Sequence, residues 1–189
     1  RSITLPMFLQ NPGELPMLGP DIIRFGTFGV AHHLKGSDLF FNMADDVTAC
    51  STSLKPEFTL IGHIGDRNLK KLRLDNVNIP SPDKPISRKE FDQYAANINY
   101  SVYFYNPSSY QLTASGALFD AFSYVKPIIA LRNPFFEYYF AMLGDIGYLC
   151  DTYEDMRGVI LNILNTRPTE RYEQQLKNIL TGREEFSLQ

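Results

Sequence analysis

The stretch from Tyr103 to Ala130 constrains the fold of this chain more than any other part of it. It begins with the end of an apolar run, and residues 106–109, Asn-Pro-Ser-Ser, interrupt that run as a polar loop would. Apolar residues then recur at helical spacing from 117 to 125, and the β-branched pair at 128–129 follows Pro127. The pattern predicts a strand, a loop, a helix and a second strand in direct succession. In such a unit the N-terminus of the helix, with its unpaired N–H groups, lies at the carboxyl edge of the sheet, where phosphate groups bind.

The same alternation of strands and helices continues along the rest of the chain. Short apolar runs predict strands at residues 22–28, 58–61, 77–79, 100–104, 128–129 and 148–149, and helical spacing predicts helices at 37–47, 87–98, 116–125, 135–143, 156–164 and 168–180. Ser37 is expected to cap the first of these helices, and Ser87 with Glu90 fits a capping box at the second. Alternation of this kind predicts an α/β fold, a Rossmann-like parallel sheet with helices on both faces.

Length and composition favour one domain. The chain has 189 residues, of which 44% are hydrophobic, and this is enough for a proper core. We assign residues 21–165 to this α/β domain and residues 166–189 to a C-terminal helix. Residues 1–20 contain four prolines and are expected to be a linker from a missing N-terminal domain.

Charge and cysteine content exclude several classes of protein. The chain has 18 basic and 21 acidic residues, a formal charge of −3, and no long run of Lys or Arg, so we expect no nucleic-acid partner. Its two cysteines show neither CxxC nor Cys/His spacing, which argues against a zinc site and favours a reduced, cytoplasmic setting. No Asp-x-Asp pair suited to a divalent ion is present, and we predict no metal ligands.

Several residues could bind a nucleotide that carries a diphosphate, a ligand that needs positive charge and free N–H groups. Lys35 follows the glycine-containing end of the first predicted strand, and Ser115 and Gly116 begin the helix of the central unit. Asp120, one helical turn further on, would reach the vicinal hydroxyls of a ribose. Gly62 ends the second strand and predicts a second loop that faces the ligand.

Residues 20 to 165 resemble the C-terminal, donor-binding half of a GT-B glycosyltransferase, of the retaining kind that assembles polysaccharides. The resemblance rests on the order of its motifs: FGTFG and then His-His-Leu-Lys-Gly at 32–36, Ile-Gly-His-Ile-Gly at 61–65, the Asn-Pro-Ser loop, Ser-Gly-Ala-Leu-Phe-Asp at 115–120, and Lys-Pro-Ile-Ile at 126–129. It implies one half of a GT-B fold, a nucleotide-diphosphate sugar as donor substrate without a further cofactor, and an acceptor site on a missing N-terminal domain. It also implies a cytoplasmic enzyme that associates peripherally with the inner face of the membrane.

The resemblance implies roles for individual residues as well. Lys35 would contact the donor diphosphate as the catalytic residue, and Asp120 would accept hydrogen bonds from the ribose. Family members often carry a glutamate eight positions before that carboxylate, where this chain has Leu112. The predicted donor-binding set is Gly26, Gly29, His32, His33, Lys35, Gly62, His63, Tyr110, Thr113, Ser115, Gly116 and Asp120.

The C-terminal helix has an apolar stripe that, by the resemblance, packs against a surface outside this chain. The stripe consists of Tyr172, Leu176, Ile179 and Leu180. We expect it to be only partly covered within this chain, and to pack on the missing domain or on a second copy in a homodimer.

Two other functions fit an α/β fold. A non-catalytic module that binds a nucleotide or dinucleotide is the main alternative, although the first strand has only a GxxG pattern, Gly26 to Gly29, in place of GxGxxG. A flavodoxin-like signalling domain would need acidic residues at the strand ends. The predicted strands end in Gly and His instead.

Overall fold

The chain folds around a six-stranded sheet whose strands all run parallel. The computed structural model describes residues 15, 17–72, 74–105 and 116–187. The strands are β1 (Ile22–Ala31), β2 (Lys55–Ile64), β3 (Val77–Asn78), β4 (Tyr100–Tyr103), β5 (Ile128–Leu131) and β6 (Gly147–Cys150). Their order across the sheet is β3-β2-β1-β4-β5-β6, and every neighbouring pair is parallel. This confirms the predicted Rossmann-like parallel sheet.

Helices cover both faces of the sheet. They are α1 (Ser37–Thr48), α2 (Arg88–Asn97), α3 (Gly116–Ser123), α4 (Pro134–Leu143), α5 (Tyr153–Thr166) and α6 (Thr169–Ser187). The crossovers from β1 to β2 and from β4 to β5 run in opposite directions across the sheet, so right-handed connections place α1 and α3 on opposite faces. Helix α5 packs beside α1, and α6 packs beside α3 and α4. None of the helices described here combines the length and apolar character that a membrane crossing requires.

The core is built from the apolar faces that the sequence patterns define. Phe25 of β1 is fully buried, and its ring stacks on Phe58 of β2 at 5.3 Å and on Tyr100 of β4 at 5.8 Å between ring centroids. Burying a side chain of this size stabilises the fold by about 1.5–3 kcal/mol. These aromatic contacts tie β1 to its two neighbours, β2 and β4, where β4 begins.

The beginnings of the first two helices differ from each other in their capping. At α2 the predicted capping box is present, because the Ser87 hydroxyl accepts from the Glu90 N–H and the Glu90 carboxylate accepts from the Ser87 N–H. At α1 the prediction is wrong, since the N-cap is Gly36 and Ser37 is the first helical residue. Gly36 adopts φ 65°, and a Cβ there would lie 2.3 Å from the carbonyl oxygen of Phe104. Only glycine fits so close to the Phe104 carbonyl, so Gly36 takes the N-cap position and Ser37 becomes the first residue of the helix.

The C-terminal helix packs on the chain's own core. Tyr172 and Ile179 are fully buried and Leu176 nearly so, and the Tyr172 hydroxyl donates to the carbonyl of Asn99 at 3.3 Å. The expectation that this apolar stripe is only partly covered is therefore wrong for these three residues, because α6 lies against α3 and α4. Leu180 is half-buried.

Most of the predicted linker lies outside the described residues, namely residues 1–14 and 16. Of the rest, Leu18 is buried in the core, and its carbonyl accepts a hydrogen bond from Arg167 at 2.7 Å. The last residues before β1 are thus attached to the domain.

Candidate functional site

A crevice forms where the strand order reverses, between β1 and β4. From β1 the chain continues to β2 on one side, and from β4 it continues to β5 on the other, so the two loops leave the carboxyl edge in opposite directions. Parallel α/β sheets bind their ligands at this switch point. Here the crevice is lined by the end of β1, the turn into α1, and Val102, Phe104 and Tyr105 from β4 and the residues after it.

Lys35 brings a positive charge to this crevice. It ends a 3-10 turn, His33–Lys35, whose geometry is fixed by the bond from the Lys35 N–H to the His32 carbonyl at 2.9 Å. The side chain is half-buried, and burial lowers the pKa of its ammonium. Among the described residues no carboxylate pairs with it. A half-buried ammonium without a counter-ion attracts an anionic ligand.

Two glycines face each other near the ends of β1 and β2. Gly29 and Gly62 are partners in the register of β1 and β2, and Gly29 adopts φ 91°. A Cβ on Gly62 would lie 1.8 Å from the carbonyl oxygen of Gly29, and a Cβ on Gly29 would lie 3.7 Å from Lys35 Nζ. Both positions therefore require glycine, and Gly29 leaves room next to the ammonium.

The prediction of a second ligand-facing loop at Gly62 is wrong, because Gly62 and His63 lie within β2. The strand continues to Ile64, since β1 supplies a pairing partner for each residue as far as Ala31. His63 is half-buried and lies opposite Val30 in the register.

The histidine pair has contacts within the protein. The His32 ring is exposed, and its Nδ1 accepts from the Leu34 N–H at 3.2 Å, which caps the 3-10 turn. His33 lies between two carboxylates, with Nδ1 3.4 Å from Asp38 and Nε2 3.7 Å from Asp66. Both histidines thus hold the loop that carries Lys35, and His33 links it to the residues after β2.

Asp120 lies on α3 in a polar cluster between α2 and α3. Burial raises the pKa of its carboxyl to about 6, and the positive charge of Arg88 opposes this rise. Arg88 donates to the Tyr124 hydroxyl at 3.0 Å and pairs with Asp92 at 2.7 Å. A carboxyl group that titrates near neutrality in such a cluster can switch between accepting and donating hydrogen bonds.

The structure does not bring every predicted residue to the crevice. Gly26 lies in the middle of β1, and a Cβ there would meet two side-chain carbons of Ile98 at 2.8 Å, so its role is packing. Gly116 is exposed at the first turn of α3, with open space around its Cβ position. Tyr110, Thr113 and Ser115 lie outside the described residues.

One polar residue at the same edge was missed by the sequence analysis. Asn133 follows β5 and is 4% exposed. Its Oδ1 accepts from the Phe136 N–H at 3.0 Å and caps α4, whereas its buried Nδ2 has no hydrogen-bond partner among the described residues. The Asn-Pro pair indicated only a loop before a helix, and nothing in the sequence signals the unpaired amide.

No three His, Cys, Asp or Glu side chains in the described ranges come together as metal ligands would. The absence of a metal from the donor site stays a prediction.

Comparisons with known proteins bear on the fold. No family model matches the chain, and no curated protein is similar to it in sequence. Solved structures do match. WaaG, a glycosyltransferase involved in lipopolysaccharide biosynthesis, has a TM-score of 0.64 and 15% identity over 88% of this chain and 44% of its own. The C-terminal domain of the group 1 glycosyl transferase LpcC from Francisella tularensis has a TM-score of 0.58 and 14% identity over 86% of each chain.

A third similar structure is that of a TarM mutant from S. aureus in complex with UDP and two other ligands. It has a TM-score of 0.61 and 16% identity over 89% of this chain and 34% of its own. The chain thus spans less than half the length of TarM and of WaaG. At these identities the likeness concerns the fold, and it confirms the predicted C-terminal half of a GT-B fold.

Proposed function

We propose that this chain is the donor-binding half of a glycosyltransferase, which binds a nucleotide-diphosphate sugar and passes the sugar to a hydroxyl acceptor. The observation that carries the proposal is the half-buried ammonium of Lys35 in the switch-point crevice, which no carboxylate among the described residues pairs with. The UDP in the TarM complex supports a nucleoside diphosphate as the ligand of this fold. A hexose is the sugar we propose for the donor.

The chemistry follows from the charge that develops on the leaving diphosphate. Lys35 would stabilise that charge, together with the N–H groups at the start of α3. Asp120, in its ionised form, would accept hydrogen bonds from the ribose hydroxyls and orient the donor. The Nδ2 of Asn133, at the end of β5, would supply a further hydrogen-bond donor. This arrangement needs no metal ion, because Lys35 and the helix start already offer positive charge.

The remaining parts of the enzyme would come from a companion domain. TarM and WaaG are more than twice as long as the part of them that this chain matches, which supports an acceptor site outside it. We therefore expect this chain to bind the donor and to transfer no sugar by itself. We also propose that the whole enzyme works in the cytoplasm, at the inner face of the membrane.

Titration calorimetry with the Lys35→Ala variant tests the proposal. Affinity for whichever of UDP or GDP binds should fall by about tenfold to a hundredfold, since a charge-assisted hydrogen bond contributes about 1.5–3 kcal/mol. Affinity for the corresponding nucleoside should stay within about twofold. Lys177→Ala, an exposed lysine on α6, is the matched control and should bind like the parent. Equal losses for nucleoside and diphosphate would contradict the assignment of Lys35.

A further inference from the structure

We propose that a second cleft, remote from the crevice of Lys35, binds an oligosaccharide without net charge. This cleft has a volume of about 510 Å³ and is the larger of the two. Arg24 and Glu57, from the first residues of β1 and β2, line it together with Asn78 of β3 and Tyr94 and Asn97 of α2. The cleft thus lies towards the amino ends of the strands.

The two sites are well separated. Arg24 precedes the carboxyl end of β1, Ala31, by seven residues. A strand advances by roughly 3.3 Å per residue, so this span is about 23 Å. Lys35 lies beyond the far end of it. A ligand in the cleft would therefore neither enter the crevice nor contact a donor bound there. The inference does not rest on the proposed function.

The charge in the cleft argues against a phosphate ligand. Arg24 is the one basic residue among its described lining residues, and its guanidinium pairs with Glu57 at 2.8 Å. Helices α1 and α2 both end beside the cleft, at Thr48 and Asn97. Their C-termini contribute the negative ends of two helix dipoles. An anion is therefore disfavoured, and a ligand rich in hydroxyl donors is favoured.

The remaining side chains suit a sugar. Asn78 and Asn97 are exposed, and in the described part of the chain neither side chain forms a hydrogen bond. Each offers one acceptor and two donors, and vicinal hydroxyls present the complementary groups. Tyr94, half-buried against the core, contributes an aromatic surface for the apolar C–H groups of a sugar ring.

The shape of the surface indicates a chain of sugars. A second hollow adjoins the cleft, lined by Gln93 and Ala96 and again by Tyr94 and Asn97. Because these two residues belong to both hollows, open space extends on either side of them. A single sugar ring would fill only one hollow, whereas an oligosaccharide could lie across both.

Binding of neutral hexasaccharides by this chain tests the proposal. The probes are cellohexaose, maltohexaose, mannohexaose and chitohexaose, each titrated into the chain by calorimetry. At least one should bind, and Tyr94→Ala should weaken that binding by about tenfold. Since Tyr94 also packs on the core, the double variant Asn78→Ala with Asn97→Ala, which changes only exposed side chains, should weaken it as well.

Two controls make the outcome decisive. Gln174→Ala removes an exposed amide of α6 and should bind the hexasaccharide within about twofold of the parent. Lys35→Ala should do the same while losing nucleoside diphosphate, which separates this site from the donor site. The proposal is overturned if none of the four hexasaccharides binds. It is also overturned if the Asn78 and Asn97 double variant binds the hexasaccharide as tightly as the parent, or if Lys35→Ala abolishes that binding.

Discussion

At the scale of single residues, Gly62 decides how closely β1 and β2 approach each other beside the crevice. Its Cβ position lies 1.8 Å from the carbonyl oxygen of Gly29, so an alanine forces the two strands apart. We expect Gly62→Ala to lower the free energy of unfolding by about 1–3 kcal/mol, as overpacking does, and to weaken nucleoside diphosphate binding. Urea denaturation and calorimetry measure the two effects.

The matched control is Gly158→Ala in the middle of α5, where a Cβ meets no atom within 4 Å. This change should raise the free energy of unfolding by about 0.5–1 kcal/mol, because alanine favours a helix more than glycine does. If Gly62→Ala were as stable as Gly158→Ala, β1 and β2 would not pack closely at Gly62.

A second prediction concerns Asp120, whose carboxyl has a pKa of about 6 because of burial. Only the ionised form accepts hydrogen bonds from both ribose hydroxyls, so it should favour a ribonucleotide over its 2′,3′-dideoxy analogue above pH 6. That preference should fade as the pH falls from 7.5 to 5. Asp120→Asn should reduce the preference at pH 7.5 and leave it independent of pH.

Calorimetry with both diphosphates at each pH measures the ratio of their affinities. The phosphates of the two ligands titrate alike, and the ratio therefore reports on the ribose contacts. A variant that loses the same affinity for both ligands would show that Asp120 has a structural role only.

At this scale, the sequence identified charged residues and glycines more readily than the hydrogen-bond partners of individual side chains. Lys35 stood out because a lone lysine after a glycine-containing strand suits a diphosphate, and the structure leaves its ammonium without a carboxylate among the described residues. Asn133 did not stand out, since an Asn-Pro pair is common before helices. That its Nδ2 has no partner in the described part of the chain depends on how β5 and α4 pack around it, which spacing along the chain does not encode.

At the scale of elements, Lys126 joins the end of α3 to the end of α2. Its Nζ donates to the carbonyls of Ala96 and Ile98, both at 2.8 Å, and burial lowers the pKa of its ammonium to about 7. Between pH 7 and 10.5 the unfolded chain binds this proton and the folded chain does not, so stability rises with pH in that window. Below pH 7 both states are protonated, and this contribution is constant.

Lys126→Met, which keeps the length of the side chain, removes this titration. The free energy of unfolding of the parent, relative to the variant, should increase from pH 7 to pH 10. Urea denaturation of both proteins at several pH values gives the difference directly. A difference that stays constant over this range would mean that Lys126 remains charged in the folded protein.

The types of the elements were predictable, but some of their ends were not. The helical stripes and the Ser87–Glu90 box follow from local patterns, and the structure confirms them. Strand β2 runs two residues past the predicted break at Gly62, because β1 pairs with it as far as Ala31. The apolar stripe of α6 could not be assigned to one partner, since helices of its own domain and another domain would bury it equally well.

At the scale of the whole molecule, the strand order determines where a ligand can bind. The alternation of strands and helices predicted a parallel sheet, yet it did not specify which strands are neighbours. The pairing of β1 with both β2 and β4 creates the switch point, and it depends on contacts between residues about 75 positions apart, such as Phe25 and Tyr100. Local patterns cannot contain that information.

An NMR titration of the chain with UDP and with GDP tests the proposed donor site most directly. The binding nucleotide should produce its largest backbone amide shifts at residues 29–37, around Lys35, and at the start of α3. Amides beside Asn78 and Asn97, which line the cleft towards the amino ends of the strands, should change little. The largest shifts at that amino-end cleft, with residues 29–37 unperturbed, would contradict the assignment of the switch-point crevice as the donor site.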